Sequence, residues 1–242
     1  MLLPQLSALA VRKDWAGFAA NIERGLVWSA LVILPASVVY AAFDQPIIQV
    51  LMQRGLFVRG DTEMMAGVLK YYALGLFPFT VYLFLNRAFY SLQDTKTPLG
   101  LHFIGNAFNS LFNLAIVATM GAAGLALGHA AAYTLIALLS LGLIGRRIRE
   151  LRWMVMLSPL AKIVASSLAA GLLALAAAHL WSRLTAGAGA EAEAFILAAI
   201  LALMVLVYLG MARLMGIVEL EALWSLIKKR LSESSRASTG PA

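Results

Sequence analysis

The sequence predicts an all-α integral membrane protein, built as a bundle of six transmembrane helices. Of its 242 residues, 62% are hydrophobic and only 13% are charged, and the mean hydropathy is +0.84. A soluble domain has about 45–50% apolar and about 25% charged residues, so in water this chain would expose large apolar patches. Several apolar runs approach the roughly 20 residues that a helix needs to cross a bilayer, and the sequence lacks the roughly ten-residue alternating segments of a membrane barrel.

Six apolar segments define the predicted bundle. They cover residues 26–44, 66–90, 98–119, 122–145, 158–181 and 193–214. Pro35 is expected to kink the first span, because proline removes a backbone donor from a helix interior. A tight turn near Gly121 joins the third span to the fourth. Gly124 and Gly128 form a GxxxG pair, which allows helix backbones to approach closely.

The segments that flank the bundle differ in composition. Residues 1–25 predict a cytoplasmic link of amphipathic character, and residues 26–214 form the bundle itself. Residues 215–231 place apolar side chains at helical spacing beside Lys228, Lys229 and Arg230, which favours an interfacial helix on an anionic inner leaflet. A capping helix packed on the protein is the alternative. Residues 232–242 are rich in small polar residues and are predicted to be disordered.

The distribution of basic residues predicts the orientation of the bundle. If the N-terminus is cytoplasmic, 15 of the 19 Lys and Arg residues lie on the cytoplasmic side. The four on the outer side are Arg54, Arg59, Lys70 and Arg183. Cytoplasmic loops of membrane proteins carry an excess of Lys and Arg, so we expect six spans with both termini in the cytoplasm.

A stripe of polar side chains runs along the third span. His102, Asn106, Asn109 and Asn113 follow one another at i, i+4, i+7 and i+11, which places them on one face of a helix. Lipid cannot satisfy three amides and an imidazole, so this face must meet other helices or line a wet cavity. The four residues are therefore candidates for a substrate cavity.

The charged segment RAFYSLQDTKTPLG, residues 87–100, connects the second and third spans. Arg87 and Lys96 mark the cytoplasmic side, and we expect Asp94 to pair with one of them. Thr97 is placed as an N-cap with Pro98 at the first helical position, so the third span should begin there. The hairpin signature comprises Asp94, Thr95, Lys96, Thr97 and Pro98.

Two further candidates for the cavity lie just before this hairpin, at the end of the second span. Asn86 and Arg87 should sit near the start of the polar stripe, because the short connection makes the two spans antiparallel neighbours. A guanidinium suits an anionic phosphate, and Arg87 could contact one. The alternative is that Arg87 anchors the topology by extending its side chain to the interface.

Sequence features of enzymes are missing. The chain has no cysteine, which excludes disulfides, thiolate metal sites and thiol nucleophiles. It has no glycine-rich phosphate loop, no HExxH motif and no paired carboxylates inside the spans. His129 and His179 are single histidines without a second ligand at suitable spacing. We therefore expect no enzyme activity, no cofactor, no metal and no nucleic-acid partner, since the net charge of +7 is explained by the loops.

Several motifs carry a family resemblance. They are MLLPQLSALAVRKD, PIIQVLMQRGLF, YYALGLFPF, NRAFYSLQDTKTPL and NLA, in that order along the chain. Together they resemble the bacterial lipid II flippase family (MurJ, formerly MviN) of the multidrug/oligosaccharidyl-lipid/polysaccharide exporter superfamily. RAFYSLQDTKTP is the most specific block, and the resemblance weakens after about residue 150.

The resemblance implies a fold and a function. Members of this family have fourteen helices in two lobes and move lipid II, the undecaprenyl-linked peptidoglycan precursor, across the bacterial inner membrane by alternating access. This chain would correspond to most of the C-terminal part, so its expected partners are lipid II, bilayer lipids and the remaining helices, on the same chain or on a separate one. The fifth and sixth spans would form an apolar groove for the polyprenyl tail. The family's cationic cavity residues lie mostly outside this part, and none is carried over to it.

Other functions remain open from the sequence. A flippase for another polyprenyl-linked glycan would share these features, as would a structural membrane subunit that transports nothing. A drug or cation exporter is disfavoured, because the spans lack acidic residues.

Overall fold

The computed structural model of the chain describes residues 2–216, which form seven helices. They are α1 (Leu2–Val11), α2 (Trp15–Ala42), α3 (Asp44–Met52), α4 (Arg59–Ser91), α5 (Lys96–Arg147), α6 (Trp153–Leu184) and α7 (Ala190–Leu214). Five of them, α2 and α4 to α7, are long and apolar enough to cross a membrane. The predicted interfacial helix and tail, from residue 217 onward, lie outside the described residues.

Helix α5 consists of two membrane-length arms that join at Gly121. This glycine has φ +55° and ψ −136°, a non-helical conformation in the region that favours glycine. The two arms, residues 96–120 and 122–147, are antiparallel and pack against each other. A Cβ placed on Gly105 of the first arm would lie 2.9 Å from Ile136 Cγ2 of the second. The turn predicted near Gly121 is therefore confirmed, and the bundle has six membrane-length segments.

The GxxxG pair lies on the inner side of this hairpin. Gly124 and Gly128 are both buried. A Cβ on Gly124 would lie 2.6 Å from Ile116 Cγ2, and one on Gly128 would lie 3.1 Å from Phe112 Cδ1. Any side chain at either glycine would force the arms apart, so the pair has the close packing that its spacing predicts.

The helices pack around α2 and α4. Helix α4 lies against α2 and α5, while α6 packs on α2 and α7 packs on α6. Close approach depends on small residues: a Cβ on Gly75 of α4 would lie 2.8 Å from the Cα of Ala130 in α5. Large apolar side chains such as Leu172, Phe195 and Leu206 remain exposed on the outside, where lipid would cover them.

The first helix begins well before the predicted span. Helix α2 starts at Trp15, so residues 15–25 of the predicted cytoplasmic link are helical and continuous with the first span. Asp14 caps it, because its Oδ1 accepts a hydrogen bond from the Gly17 N–H at 2.9 Å. The charges of Glu23 and Arg24 interrupt the apolar run, which is why hydropathy placed the start too late.

Glu23 is nevertheless buried, at 9% exposure. Its Oε1 accepts a hydrogen bond from the backbone N–H of Arg152 at 2.7 Å. Arg152 is the residue immediately before α6, so this carboxylate satisfies a backbone donor at a helix start. The contact ties α2 to the beginning of α6.

The short helix α3 was absent from the predicted map. Its nine residues are too few to span a bilayer, so hydropathy gave no signal for it. Pro46, Ile47, Ile48 and Val50 are buried. The helix packs against α4 and α7 and closes the end of the bundle where α4 begins.

A hydrogen bond from α7 compensates for the proline inside α2. Pro35 has no N–H, so the carbonyl of Leu31 lacks its usual partner one turn later. The hydroxyl of Tyr208 donates to this carbonyl at 2.7 Å, and Tyr208 is 6% exposed. The bond joins the first spanning helix to the last.

Replacing Tyr208 with phenylalanine should destabilise the bundle. Tyr208→Phe leaves the buried Leu31 carbonyl unpaired, which costs about 1–3 kcal/mol. Thermal unfolding of the purified chain in detergent, followed by circular dichroism, should show a lower Tm, while Tyr40→Phe at an exposed site should leave it unchanged. In a Pro35→Ala background, which restores a donor to Leu31, the cost should become smaller. An equal cost in both backgrounds would contradict this assignment.

Candidate functional site

The loop over residues 92–95 turns the chain from α4 into α5. Gln93 adopts a left-handed conformation, with φ +59°. Asp94 then caps α5: its Oδ1 accepts from the Thr97 N–H at 2.9 Å, and its Oδ2 accepts from the Thr97 hydroxyl at 2.6 Å. A carboxylate at this position satisfies a free backbone donor and interacts favourably with the helix dipole.

The predicted start of the third span was wrong by two residues. Helix α5 begins at Lys96, so Thr97 lies inside it and donates its hydroxyl rather than capping the helix. The Asp94 carboxylate is the stronger acceptor and takes the capping role. Pro98 still lies in the first turn, where its missing N–H costs no helical hydrogen bond.

The predicted ion pair of Asp94 was also wrong. Its partner is neither Arg87 nor Lys96 but Arg147, whose Nη1 lies 2.6 Å from Asp94 Oδ2. The guanidinium of Arg147 also lies 5.9 Å from the centre of the Phe89 ring. Arg147 is the last residue of α5, and the hairpin at Gly121 returns it to the loop.

We call Asp94, Thr97, Arg147 and Phe89 the Asp94 node. It joins the end of α4, the start of α5 and the end of α5. Hydrogen bonds from the Thr97 side chain and backbone, together with Arg147, hold the pKa of Asp94 below its usual value despite partial burial. The Arg147 side chain is 48% exposed, so we assign the ion pair only about 0.2–1 kcal/mol and the cap about 1 kcal/mol.

An open cavity of about 590 Å³ lies beside the node, between α4 and the first arm of α5. It is lined by Tyr82, Leu83, Asn86, Tyr90, Thr95, Lys96, Pro98, Leu99, His102 and Tyr133. The Oδ1 of Asn86 is buried and has no hydrogen-bond partner among residues 2–216. The cavity therefore offers several hydroxyl groups, an imidazole and the ammonium group of Lys96, while the Asn86 Oδ1 beside it is itself buried. These groups suit a ligand that carries hydroxyl or amide groups together with negative charge.

The structure brings some of the predicted site residues together. Asn86 and His102 line the same cavity, as the antiparallel packing of their helices predicts. Thr95, Lys96 and Pro98 of the hairpin signature line it as well. Arg87 does not: its side chain is exposed and lies outside the lining of this cavity.

The three asparagines of the stripe also lie outside that lining. Asn113 donates its side-chain amide to the Asn109 Oδ1, so these two residues partly satisfy each other. The Oδ1 of Asn113 is buried without a partner in the described part of the chain. Asn106 is exposed on the surface of the bundle.

Aromatic residues of the site were not predicted as such. Tyr82, Asn86 and Tyr90 recur every four residues along α4, a spacing that could have identified one face of the helix. Tyr133 comes from the second arm of α5, and only the hairpin fold places it there. Its ring centre lies 4.6 Å from that of His129, which is half-buried among aromatic rings, in keeping with a core position.

Comparison with known proteins gives consistent matches. A family model described as "Lipid II flippase MurJ" matches residues 1–188. A "Probable lipid II flippase MurJ" from Bdellovibrio bacteriovorus is 28% identical over 89% of this chain and 40% of its own length. One of the same description from Rhizobium meliloti is 28% identical over 99% of this chain and 45% of its own.

A solved structure has the same fold. It is described as "Lipid II flippase MurJ, inward closed conformation" and matches with a TM-score of 0.66 at 20% identity. The match covers 90% of this chain and 42% of that one. The chain therefore spans less than half the length of these relatives.

Removing the Asp94 carboxylate should destabilise the chain in a pH-dependent way. Asp94→Ala removes the cap and the ion pair, so the free energy of unfolding should fall by about 1–2 kcal/mol at pH 7. Because folding lowers the pKa of Asp94, its contribution is full above about pH 4 and is lost as the pH falls through the folded pKa. The Tm difference between wild type and variant should shrink in that acidic range.

The control is Glu150→Ala, which removes an exposed carboxylate near the same end of the bundle. It should leave Tm unchanged at every pH. A Tm difference for Asp94→Ala that stays constant from pH 7 to pH 3 would contradict the charged cap.

Proposed function

The chain belongs to the lipid II flippase MurJ family, and we propose that it forms part of a transporter for lipid II, the undecaprenyl-linked peptidoglycan precursor. In this proposal the transporter moves the lipid across the bacterial cytoplasmic membrane by alternating access. The observation that carries it is the family match over residues 1–188, which includes the hairpin of residues 87–100. Because the chain spans less than half the length of its relatives, other helices complete the transport path.

The cavity beside the Asp94 node is the proposed contact for the head group. Asn86 supplies a buried acceptor without a partner among the described residues, and His102 faces it from α5. The ammonium group of Lys96 would attract the pyrophosphate of the lipid. Arg87 lies outside the cavity, and its proposed role is to anchor this end of α4 at the membrane interface.

The polar stripe has a separate proposed role. Asn106 is exposed, and an amide facing hydrocarbon is costly. We propose that Asn106 faces the helices that complete the transporter, or the wet path between the two halves, and that Asn109 and Asn113 support it by pairing with each other, with Asn113 packed against Gly128 inside the hairpin. Those helices, on the same or a separate chain, are the expected protein partner.

Helices α6 and α7 have an apolar role in this proposal. They pack on each other and expose large apolar side chains, including Leu172, Leu175 and Leu203. Their predicted membrane portions, residues 158–181 and 193–214, would hold the polyprenyl tail and contact bilayer lipids.

The protein is a multi-pass membrane protein, and we propose that both of its termini are cytoplasmic. The 15 of 19 basic residues that fall on one side support this orientation. It places the Asp94 node inside the cell and α3 outside.

Complementation tests the proposed cavity. In a full-length transporter that carries this segment, Asn86→Ala or His102→Ala should reduce lipid II translocation by up to about tenfold, since each removes a polar side chain from the wall of the proposed head-group cavity. Cells depleted of their own flippase should then grow poorly although protein levels are normal. Phe103→Ala, next to His102 but outside the cavity lining, is the matched control and should support growth. Normal translocation by both cavity variants would contradict the proposal.

Cysteine labelling tests the orientation. The chain contains no cysteine, so single introduced thiols report their own position. In spheroplasts, Ala186→Cys between α6 and α7 should react with an impermeant maleimide, and Glu150→Cys between α5 and α6 should react only after lysis. The opposite pattern would reverse the orientation.

A further inference from the structure

A second cavity lies at the end of the bundle opposite the Asp94 node. It is enclosed by α3, the start of α4 and the end of α6, and has a volume of about 450 Å³. This volume is within the range of about 300–1,000 Å³ for small-molecule sites. We call it the outer cavity. The proposed path of the head group runs through the cavity beside the Asp94 node and does not involve the outer cavity.

Three glutamines, two in α3 and one immediately after it, face the outer cavity. Gln45, Gln49 and Gln53 are spaced by four residues, so they share one face of the helix, and all three line the cavity. The side-chain oxygen of Gln49 accepts from the Trp181 indole N–H at 3.0 Å. That of Gln53 accepts from the Thr62 hydroxyl at 3.0 Å.

These two contacts determine how the amides are oriented. With the oxygen atoms of Gln49 and Gln53 engaged, their –NH₂ groups are left as donors, and neither donates to another residue within 2–216. The side chain of Gln45 makes no hydrogen bond in that range either. The wall of the cavity therefore presents a row of uncharged amide groups available to a ligand.

The charges around the outer cavity select against an anion. Asp44 accepts the Gln45 N–H through Oδ1 at 2.8 Å, which leaves its second oxygen available. Burial raises the pKa of Asp44 above its usual value, although the positive charge of Lys70 acts in the opposite direction. Arg59 is paired with Glu63 at 3.2 Å. A phosphate here would meet two lining carboxylates, Asp44 and Glu63, against the single guanidinium of Arg59, which Glu63 already pairs.

A neutral sugar fits these groups. Each hydroxyl both donates and accepts, so it can pair with the Asp44 carboxylate and with a glutamine amide at once. An acetamido carbonyl would accept from the free amide donors. Pro46, Ala178 and the largely buried Trp181 add an apolar wall against which the C–H face of a sugar ring can pack.

We propose that the outer cavity binds a neutral N-acetylated sugar. The inference rests on the proposed function, in which a sugar-bearing head group emerges at this end of the bundle after translocation. The cavity would then hold the sugar on the outer side while the pyrophosphate leaves the transport path.

Direct binding to the purified chain in detergent tests this site. Isothermal titration calorimetry with N,N′-diacetylchitobiose should show saturable binding. Asp44→Asn keeps the acceptor for the Gln45 N–H but removes the charge, and it should weaken binding about tenfold or more. Gln45→Ala should weaken it about two- to tenfold. Gln5→Ala, an exposed glutamine on α1, is the control and should leave affinity unchanged.

The outcomes separate this inference from the proposed function. A folded wild-type chain that does not bind the sugar, or equal affinity in all variants, would overturn the site. Competition by inorganic phosphate would also overturn it, because it would indicate an anion site. If Asp44→Asn fails to fold, Gln45→Ala decides the question, because the Gln45 side chain is exposed. The assay involves no transport, so failed complementation together with intact sugar binding counts only against the proposed function.

Discussion

The Asp94 carboxylate accepts from Thr97 and pairs with Arg147, so one side chain holds the start and the end of α5 beside the end of α4. Each contact is small, about 1 kcal/mol or less. Their effect depends on where they lie, because they connect the end of α4 to both ends of α5. The packing of α4 against α5 places Asn86 and His102 in the lining of one cavity.

Few polar contacts of this kind connect the other helices, and each satisfies a defined group. The Tyr208 hydroxyl donates to the Leu31 carbonyl, to which Pro35 cannot donate because it has no N–H. Glu23 accepts a hydrogen bond from the backbone N–H of Arg152. In lipid, apolar contact between helices gains little over contact with lipid tails, so close packing and hydrogen bonds decide which helices meet. The remaining contacts depend on small residues, as at Gly75 against Ala130.

Apolar runs were enough to predict six membrane segments, and Gly121 was enough to predict the turn between two of them. The beginning of α2 was missed because Glu23 interrupts the run, although its carboxylate is buried against a backbone donor. Helix α3 was missed because it is shorter than a span. Sequence neighbours suggested partners for Asp94, whereas the true partner, Arg147, reaches it only through the hairpin. Asn86 and His102 could be predicted as neighbours because a short loop joins their helices, but Tyr133 could not.

The central claim is that Asp94 and Arg147 act as one unit that connects the ends of α4 and α5. A double-mutant cycle measures this most directly: Asp94→Ala, Arg147→Ala and the double variant, compared by the free energy of unfolding in detergent at pH 7. We predict that the double variant loses less stability than the sum of the single variants, with a coupling energy of about 0.5–1 kcal/mol. Strictly additive losses would contradict the account.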